Sequence, residues 1–383
     1  MLKRITPGQI KKSNRQEIYS HIYRNRLVSQ QDIAYALHLS RPTVASNLTE
    51  LEDGGLICKN GRLDSDQAGR KAAAYSIDPE FRVAVGVEIM RSGAKLIAVN
   101  LYGEKLRRVV VELPYQNCPS YYETLCEAIL EFIQGLGKPE EAVLGIGLAM
   151  QGLVSADGGT VVYGEILGCT GLGIDVFTSR LPYPCSFIHD PDGAALSELW
   201  SSPELSDAVY LSLSRHLGGS MIANRRIMTG KHGHTATFEH IPMRPRGDRC
   251  YCGRRGCAET LCSMDALLGE EDPDAFFEAV RGGTPEATGR WRTYLKNLSA
   301  LIGTLRLVRD VDFILGGHLA PYFTQSDLRF IYGEIRRGCP FDDDGDYLFI
   351  SKMPSHNITI GAALPYIHAF LEDIGPGTGP ARP

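Results

Sequence analysis

The sequence predicts an α/β protein, with an N-terminal winged helix-turn-helix followed by two α/β lobes around a cleft. Three short helical patterns and a following pair of strands predict the first part, and an order of strands and helices that recurs in two halves predicts the second. Charge separates the same parts, because residues 1–72 carry 12 Lys and Arg against 7 Asp and Glu, whereas the remainder carries 28 against 38. A basic head on an acidic body is typical of a nucleic-acid-binding module joined to another domain, although chance variation among solvated faces gives the same imbalance.

The first helical patterns have the spacing of a helix-turn-helix. A first helix is predicted over 15–25, a second after the capping residue Ser29, and a third with Pro42 in its first turn, where a missing N–H group costs nothing. A tight turn separates the last two helices, as in a helix-turn-helix. Strands over 56–59 and 74–77, joined by a polar loop, complete a winged helix.

This module predicts double-stranded DNA, an operator, as a partner. The third helix of a helix-turn-helix lies in the major groove, and its first residues reach base edges. The side chains predicted to do so are Ser40, Arg41, Thr43, Ser46 and Asn47. Arg pairs with guanine and Asn with adenine through two hydrogen bonds each. Arg70 and Lys71 of the wing are predicted to enter a minor groove; the alternative is a plain three-helix bundle with polar side chains facing solvent.

Two halves of similar order follow the winged helix, each with a run of strands and then alternating helices and strands. We expect residues 1–80 to form the DNA-binding domain with its linker. Residues 81–200 are expected to form the first lobe, joined by a C-terminal helix over 357–373, and residues 201–356 the second lobe with the oligomerisation surface. The tail 375–383 is rich in Gly and Pro and is predicted to be disordered.

The apolar runs of the chain, such as 143–150, are too short to span a bilayer, and the N-terminus carries no apolar signal segment. We therefore expect a cytoplasmic protein without a membrane partner. In that compartment cysteines are thiols or metal ligands more often than disulfides.

A cluster of cysteines predicts a structural zinc. The segment 250–257, CYCGRRGC, offers the thiols of Cys250, Cys252 and Cys257 within eight residues, and its two glycines let the backbone turn tightly enough for the sulfurs to converge. Zinc favours four tetrahedral Cys or His ligands, and a site without an open position holds a loop in shape. The candidate fourth ligands are His232, His234 and His240.

The cysteine segment resembles the signature of the ROK family (repressors, open reading frames and kinases), GH…CxCGxxGCxE, present here as His240 and CYCGRRGCAE through Glu259. The winged helix ending in GRK at 69–71 resembles the repressor branch, because the sugar kinases of this family lack that domain. The resemblance covers nearly the whole chain. It implies an actin-like, ribonuclease H-like fold, His240 as the fourth zinc ligand, a site for a sugar or sugar-phosphate effector in the cleft, and a homodimer or homotetramer.

The resemblance also places the family's sugar site on this sequence. The family's Asn-Asp falls on His-Asp at 189–190, and its Glu-x-Gly-His falls on Thr-Phe-Glu-His at 237–240. The effector-binding residues that follow are His189, Asp190, Thr237, Glu239, His240 and Glu259. Carboxylates and an imidazole suit a polyhydroxylated ligand, because a buried hydroxyl left unpaired is costly.

Two of these residues have particular consequences. His240 would hold zinc through one ring nitrogen and leave the other free for a ligand hydroxyl. Glu239 adds bulk and charge where the family has glycine, so it would either select an unusual ligand, such as an amino sugar, or close the pocket.

The glycine-rich turns that hold ATP phosphates in the family's kinases are largely missing. Asp-x-Gly-Gly-Thr falls on 88–92, where both glycines are replaced, and Gly-x-Gly-x-Gly falls on 216–220, where one matching glycine remains. Side chains there would obstruct the approach of backbone N–H groups to phosphate. We therefore predict a non-catalytic, sugar-responsive transcription regulator in which Asp190 is a vestigial base. The alternatives are an ATP-dependent sugar kinase with a regulatory DNA-binding domain, and a regulator that answers to a protein partner.

Overall fold

The computed structural model describes residues 7–63, 72–339, 341, 345–353 and 357–374. The predicted minor-groove residues Arg70 and Lys71 lie outside these ranges. None of the helices in the described ranges is long and apolar enough to cross a membrane.

The first elements form a winged helix. They are α1 (Pro7–Asn25), β1 (Val28–Ser29), α2 (Gln30–Ala36), α3 (Arg41–Asp53), β2 (Ile57–Leu63) and β3 (Ala72–Ile77), with the strands in the antiparallel order β1-β3-β2. Ser29 and Asp32 form a capping box at the start of α2, and the Ser40 hydroxyl accepts a hydrogen bond from the Thr43 N–H at the start of α3. Helix α1 begins eight residues earlier than predicted, because good helix formers precede Arg15 and Lys11 pairs with Glu50 on α3 at 2.5 Å.

The first lobe is built on a five-stranded sheet. Its elements are β4 (Val83–Met90), β5 (Gly93–Asn100), β6 (Lys105–Val111), α4 (Pro119–Gln134), β7 (Val143–Met150), β8 (Leu153–Val154), β9 (Val161–Tyr163), α5 (Asp175–Thr178), β10 (Cys185–His189) and α6 (Asp190–Ser201). The sheet order is β10-β7-β4-β5-β6, with β4 to β6 antiparallel and β7 and β10 parallel to β4. Strands β4 and β7 are almost wholly buried, as expected of strands covered on both faces.

The second lobe repeats this topology. Its elements are β11 (Ala208–Leu213), β12 (Leu217–Ala223), β13 (Arg226–Ile227), α7 (Glu259–Cys262), α8 (Met264–Leu268), α9 (Pro273–Arg281), α10 (Pro285–Arg306), β14 (Asp312–Gly316), α11 (Gln325–Gly338), β15 (Leu348–Ile350) and α12 (Asn357–Ile374). The sheet order is β13-β12-β11-β14-β15, again an antiparallel meander extended by two parallel strands.

Two helices exchange places between the lobes. Helix α6 leaves the first sheet and packs on β11 and β12 of the second, whereas α12 leaves the second sheet and packs on β4 and β7 of the first. They cross where Gly361 meets Gly193, so closely that a Cβ on Gly361 would lie 1.7 Å from the Gly193 carbonyl oxygen. The lobes are therefore joined by backbone-to-backbone packing that leaves no room for a side chain.

The winged helix packs directly on the first lobe. One hydrophobic cluster contains Ile18 and Leu48 of the winged helix together with Val99 of β5 and Ile367 of α12. The Tyr23 hydroxyl donates a hydrogen bond to the Leu101 carbonyl at 2.9 Å, which extends this contact to the β5–β6 turn. The DNA-binding module and the first lobe therefore share one core.

Candidate functional site

The first turns of α3 present the predicted DNA-reading face. Ser40, Arg41 and Ser46 are exposed, and Thr43 is half-buried beside Ser40, whose hydroxyl lies 2.8 Å from the Thr43 hydroxyl. The prediction for Asn47 is wrong. Asn47 is only 2% exposed, and its side-chain amide donates to the Thr43 carbonyl at 2.8 Å, because the rotation of α3 turns this position into the core.

Sequence reasoning missed two exposed side chains beside this face. Tyr35 on α2 is 83% exposed, which is unusual for an aromatic residue, and Thr49 is exposed one turn beyond Ser46. A Tyr hydroxyl on the helix before the recognition helix is suited to a phosphate contact. The signal was available, because Tyr35 falls on the face of α2 opposite its buried residue Ile33.

Four side chains form a candidate metal centre. One ligand atom from each of His240, Cys250, Cys252 and Cys257 lies within 4.8 Å of the others. The Sγ atoms of Cys252 and Cys257 are 3.8 Å apart, and Cys250 Sγ is 3.7 Å from His240 Nδ1. Among the three candidate histidines the geometry selects His240, since His232 and His234 line a separate surface depression next to Ser155.

The backbone of this metal loop has the tight turns that the sequence predicted. Gly253 and Gly256 have φ values of +85° and +73°, in the region that glycine favours. A Cβ on Gly256 would also lie 1.6 Å from the Arg244 carbonyl oxygen. Three soft sulfurs and an imidazole in a closed loop are a donor set that fits a tetrahedral transition-metal ion.

The metal loop and the cleft share an aromatic wall. Tyr251 lies between two of the cysteines and lines the cleft. Its ring centroid is 5.1 Å from that of His240 and 5.6 Å from that of His216, and Tyr163 approaches His240 from another side at 6.2 Å. The Nε2 atom of His240 is buried and has no hydrogen-bond partner among the described residues. Nδ1 thus faces the metal site, while Nε2 remains available on the side of the aromatic rings.

The cleft lies between the lobes and has a volume of about 520 Å³, open to solvent at its mouth. The N-terminus of α6 enters it with His189 and Asp190, and a 3-10 turn over 238–240 brings Glu239 to the same cavity. The other lining residues are Gln151, Gly152, Leu153, Tyr163, Glu165, Ile166, Pro191, Ser212, Ser214, His216, Leu217, Gly218 and Tyr251. Three of the six predicted effector-binding residues therefore line the cleft.

The other three lie around its edge. His240 contacts the wall through Tyr251, and Thr237 bonds weakly back to the His234 carbonyl at 3.4 Å. Glu259 is 6% exposed, and its carboxylate accepts hydrogen bonds from His216 Nδ1 and the Leu217 N–H, both at 2.8 Å. Glu259 therefore supports the turn 216–220 from behind.

Burial shifts the ionisation of the cleft carboxyls. It raises the pKa of Asp190 to about 8, with the negative charge of Glu88 contributing in the same direction, and it raises the pKa of Glu239 to about 8. The pKa of Asp192, one turn inside α6, rises to about 7 through burial although Ser220 donates a hydrogen bond to it at 2.6 Å. Burial lowers the pKa of His189 to about 4, so His189 is neutral beside Asp190.

Asp190 should make the protein less stable as the pH rises. Its pKa of about 8 lies above its ordinary value near 4, so between about pH 4 and pH 8 the unfolded chain releases a proton that the folded chain keeps. The stability that this proton confers is present at the acid end of that window and is lost toward pH 8, with a slope of up to about 1.4 kcal/mol per pH unit. We expect Asp190→Asn to raise the melting temperature at pH 8 and to change it little at pH 5.

Thermal unfolding of both proteins across this range tests the expectation. The exposed Asp53, changed in the same way, is the matched control and should leave the pH dependence as it is. Parallel melting curves for wild type and Asp190→Asn at all pH values would contradict the assignment.

Comparison with known proteins places these features in one family. A profile of the ROK family matches residues 84–322, more than half of the chain, and a profile for winged helix-turn-helix DNA-binding domains matches residues 12–57. The DNA-binding transcriptional dual regulator NagC of Escherichia coli (strain K12) is 26% identical over 261 residues, which are 67% of this chain and 64% of that regulator. The match thus spans less than two thirds of the regulator's own length.

Two solved structures share the fold. A ROK family transcriptional regulator, a homolog of the E. coli MLC protein, superposes with a TM-score of 0.76 at 21% identity and covers 95% of this chain and 97% of its own. A ROK family glucokinase from Streptomyces griseus, in complex with glucose and AMPPNP, gives a TM-score of 0.63 at 22% identity over 73% of this chain and 98% of its own. The predicted fold class, a winged helix-turn-helix before a sugar-kinase-like domain, is confirmed.

Proposed function

The chain belongs to the ROK family, and from that premise we propose that it is a sugar-responsive transcription regulator, a repressor of carbohydrate metabolism, whose kinase-like lobes sense an effector without phosphorylating it. The observation that carries the proposal is the winged helix, which presents Ser40, Arg41 and Ser46 to solvent and shares one hydrophobic core with the first lobe. Its partners would be an operator in double-stranded DNA and a sugar-like effector in the cleft. Such a regulator acts in the cytoplasm.

The metal in this proposal is zinc with a structural role. Two sulfurs that are each 2.3 Å from a tetrahedral zinc ion lie roughly 3.8 Å apart, and Cys252 and Cys257 have that separation. Four protein ligands leave no position open for substrate or water, so the ion would fix the loop and the Tyr251 ring on it.

Two internal contacts at the phosphate turns favour sensing over catalysis. Arg91, at the position of a phosphate-turn glycine, donates a hydrogen bond to the Ile166 carbonyl at 2.6 Å. His216, at the corresponding position of the second lobe, is bonded to the buried Glu259. Both turns thus carry side chains with partners of their own where a kinase offers bare backbone N–H groups to phosphate.

Helix α6 is a physical connection from the cleft to the DNA-binding module. Asp190 stands at its cleft end, and at its other end Trp200 Nε1 donates a hydrogen bond to the Tyr102 carbonyl at 2.7 Å. The Tyr102 ring contacts α1, with Arg26 3.2 Å above it and the Tyr23 ring at 4.8 Å. An effector that binds one position of α6 more tightly would therefore bias the winged helix, and in a homodimer or homotetramer it would change the spacing of two recognition helices.

Operator binding tests the proposal. DNA selected from a random pool by the full-length protein should compete poorly for Arg41→Ala, because loss of two hydrogen bonds to one base costs about 1–3 kcal/mol, or roughly 10-fold or more in affinity. Arg108→Ala, an exposed arginine on β6, is the matched control and should bind as wild type does. Sugars added to the complex should change its affinity.

Two results would count against this function. A protein that selects no DNA sequence under any condition is not a regulator of this kind. ATP-dependent phosphorylation of a sugar that Asp190→Asn abolishes would instead support the kinase with an attached regulatory domain.

A further inference from the structure

We propose that the effector of this cleft carries a protonated amine, as an amino sugar does, and no phosphate group. The inference rests on the proposed function, because it assigns the chemical class of the effector in the same cleft. It excludes half of the ligands that the sequence left open, since a sugar phosphate and an amino sugar have opposite charges.

The charge of the cleft walls is the first observation. Glu165, Asp190 and Glu239 line the cavity, and none of its described lining residues is Lys or Arg. A phosphate group is normally held by Arg, by Lys or by several free backbone N–H groups. Here Arg91 and His216, the side chains at the two phosphate turns, are already bonded to Ile166 and Glu259. A phosphate in this cleft would meet carboxyl groups without a compensating cation.

An unpaired acceptor points to the group that the cleft binds. Glu239 is only 5% exposed, and its Oε2 atom is buried with no hydrogen-bond partner among the described residues. The side chain is held there, because its neighbour Phe238 packs against Gly219 so closely that a Cβ on the glycine would lie 2.2 Å from the ring. A buried acceptor without a donor costs free energy, which a ligand donor would recover. An ammonium group supplies three donors and the opposite charge.

The rings around Glu239 suit a cation as well. Tyr163 and Tyr251 line the same cavity and lie on two sides of His240, the residue that follows Glu239. Aromatic faces attract ammonium groups, and the attraction grows when the site excludes water. Two tyrosines, three carboxyls and the absence of Lys and Arg from the described lining therefore favour one class of ligand, a compact polar cation.

Paired sugars test the inference on the full-length, metal-loaded protein. Glucosamine, galactosamine and mannosamine are each compared with the parent sugar, with the N-acetyl derivative and with the 6-phosphate by calorimetry at low ionic strength. We expect at least one amine to bind about 10-fold or more tightly than its neutral and phosphorylated counterparts, because a hydrogen bond to a charged group contributes about 1.5–3 kcal/mol.

Glu239→Gln keeps the shape of the side chain and removes its charge, so it should reduce the preference for the amine about 10-fold and leave the affinity for the neutral parent sugar nearly unchanged. Glu123→Gln, on the exposed face of α4, is the matched control and should keep the preference. A variant with glycine, Glu239→Gly, provides a second readout, since it removes bulk as well as charge.

The outcomes separate this inference from the proposed function. Equal or tighter binding of neutral or phosphorylated sugars, or a preference for amines that survives Glu239→Gln, overturns the inference and leaves operator binding intact. Binding of no sugar of any charge, with operator binding retained, also overturns it and identifies Glu239 as a plug in a closed cleft. Loss of operator binding in every assay refutes the regulator itself, whatever the cleft binds.

Discussion

Changing Gly361 to Ala is expected to lower the free energy of unfolding by about 3 kcal/mol or more, which is the largest effect that we expect from adding one methyl group to this chain. The new Cβ would lie 1.7 Å from the carbonyl oxygen of Gly193 and 2.5 Å from its carbon. Backbone atoms cannot move aside as a flexible side chain can, so α12 would have to separate from α6. That separation would disturb the packing of both helices on the two sheets.

The same substitution elsewhere in a helix is the matched control. Gly289 lies on an exposed face of α10, and a Cβ there would meet nothing within 4 Å. Because Ala is the better helix former, Gly289→Ala should raise the free energy of unfolding by about 0.5–1 kcal/mol. Thermal and urea unfolding followed by circular dichroism measures both changes. Equal stability of the two variants would show that the α6–α12 crossing is looser than 1.7 Å implies.

Much of the fold could be predicted because it is encoded locally. The strands Val83–Met90 and Val143–Met150 have the predicted limits, since uninterrupted apolar runs of this length are typical of strands buried on both faces. Helices α9 and α11 were missed, although α11 carries the sequence signal of a helix. Thr324 and Asp327 form a capping box, and its buried residues Leu328, Ile331 and Ile335 recur at helical spacing.

The site divides in the same way between local and distant information. The cysteines of the metal centre lie within eight residues, so their spacing alone predicted a cluster. Asn47 was assigned wrongly because the direction of its side chain depends on how α3 packs against α1 and α2, which the spacing along one helix does not fix. The pairing of His216 with Glu259 joins residues 43 positions apart, and no local pattern predicts such a partner.

Removing the metal should abolish the effector response while the protein still binds its operator. Cys250 and Cys257 are buried ligands, and Tyr251 between the cysteines forms part of the cleft wall, so loss of the ion would release that wall together with the loop. The DNA-binding face lies on α2 and α3, whose core residues Ile33, Leu48 and Leu51 belong to a separate hydrophobic cluster. The two activities should therefore respond differently to one substitution.

We expect Cys250→Ser to lose about one bound zinc per chain, to melt roughly 5–10 °C lower, and to bind its effector at least about 10-fold more weakly. Its affinity for the operator without effector should stay within about 2-fold of wild type, a change of less than about 0.5 kcal/mol. Cys118→Ser is the matched control, because Cys118 precedes α4 outside the cluster, at a capping position that serine favours. Metal analysis, thermal unfolding and mobility shifts with and without effector measure the four quantities. Operator and effector binding that fall together would mean that the metal loop supports the whole chain, whereas a Cys250→Ser protein that keeps its zinc would remove Cys250 from the ligand set. Selective loss of the effector response would instead establish that the loop acts on the cleft through Tyr251, because that ring is the feature of the metal loop that reaches both the cleft and the His240 ligand.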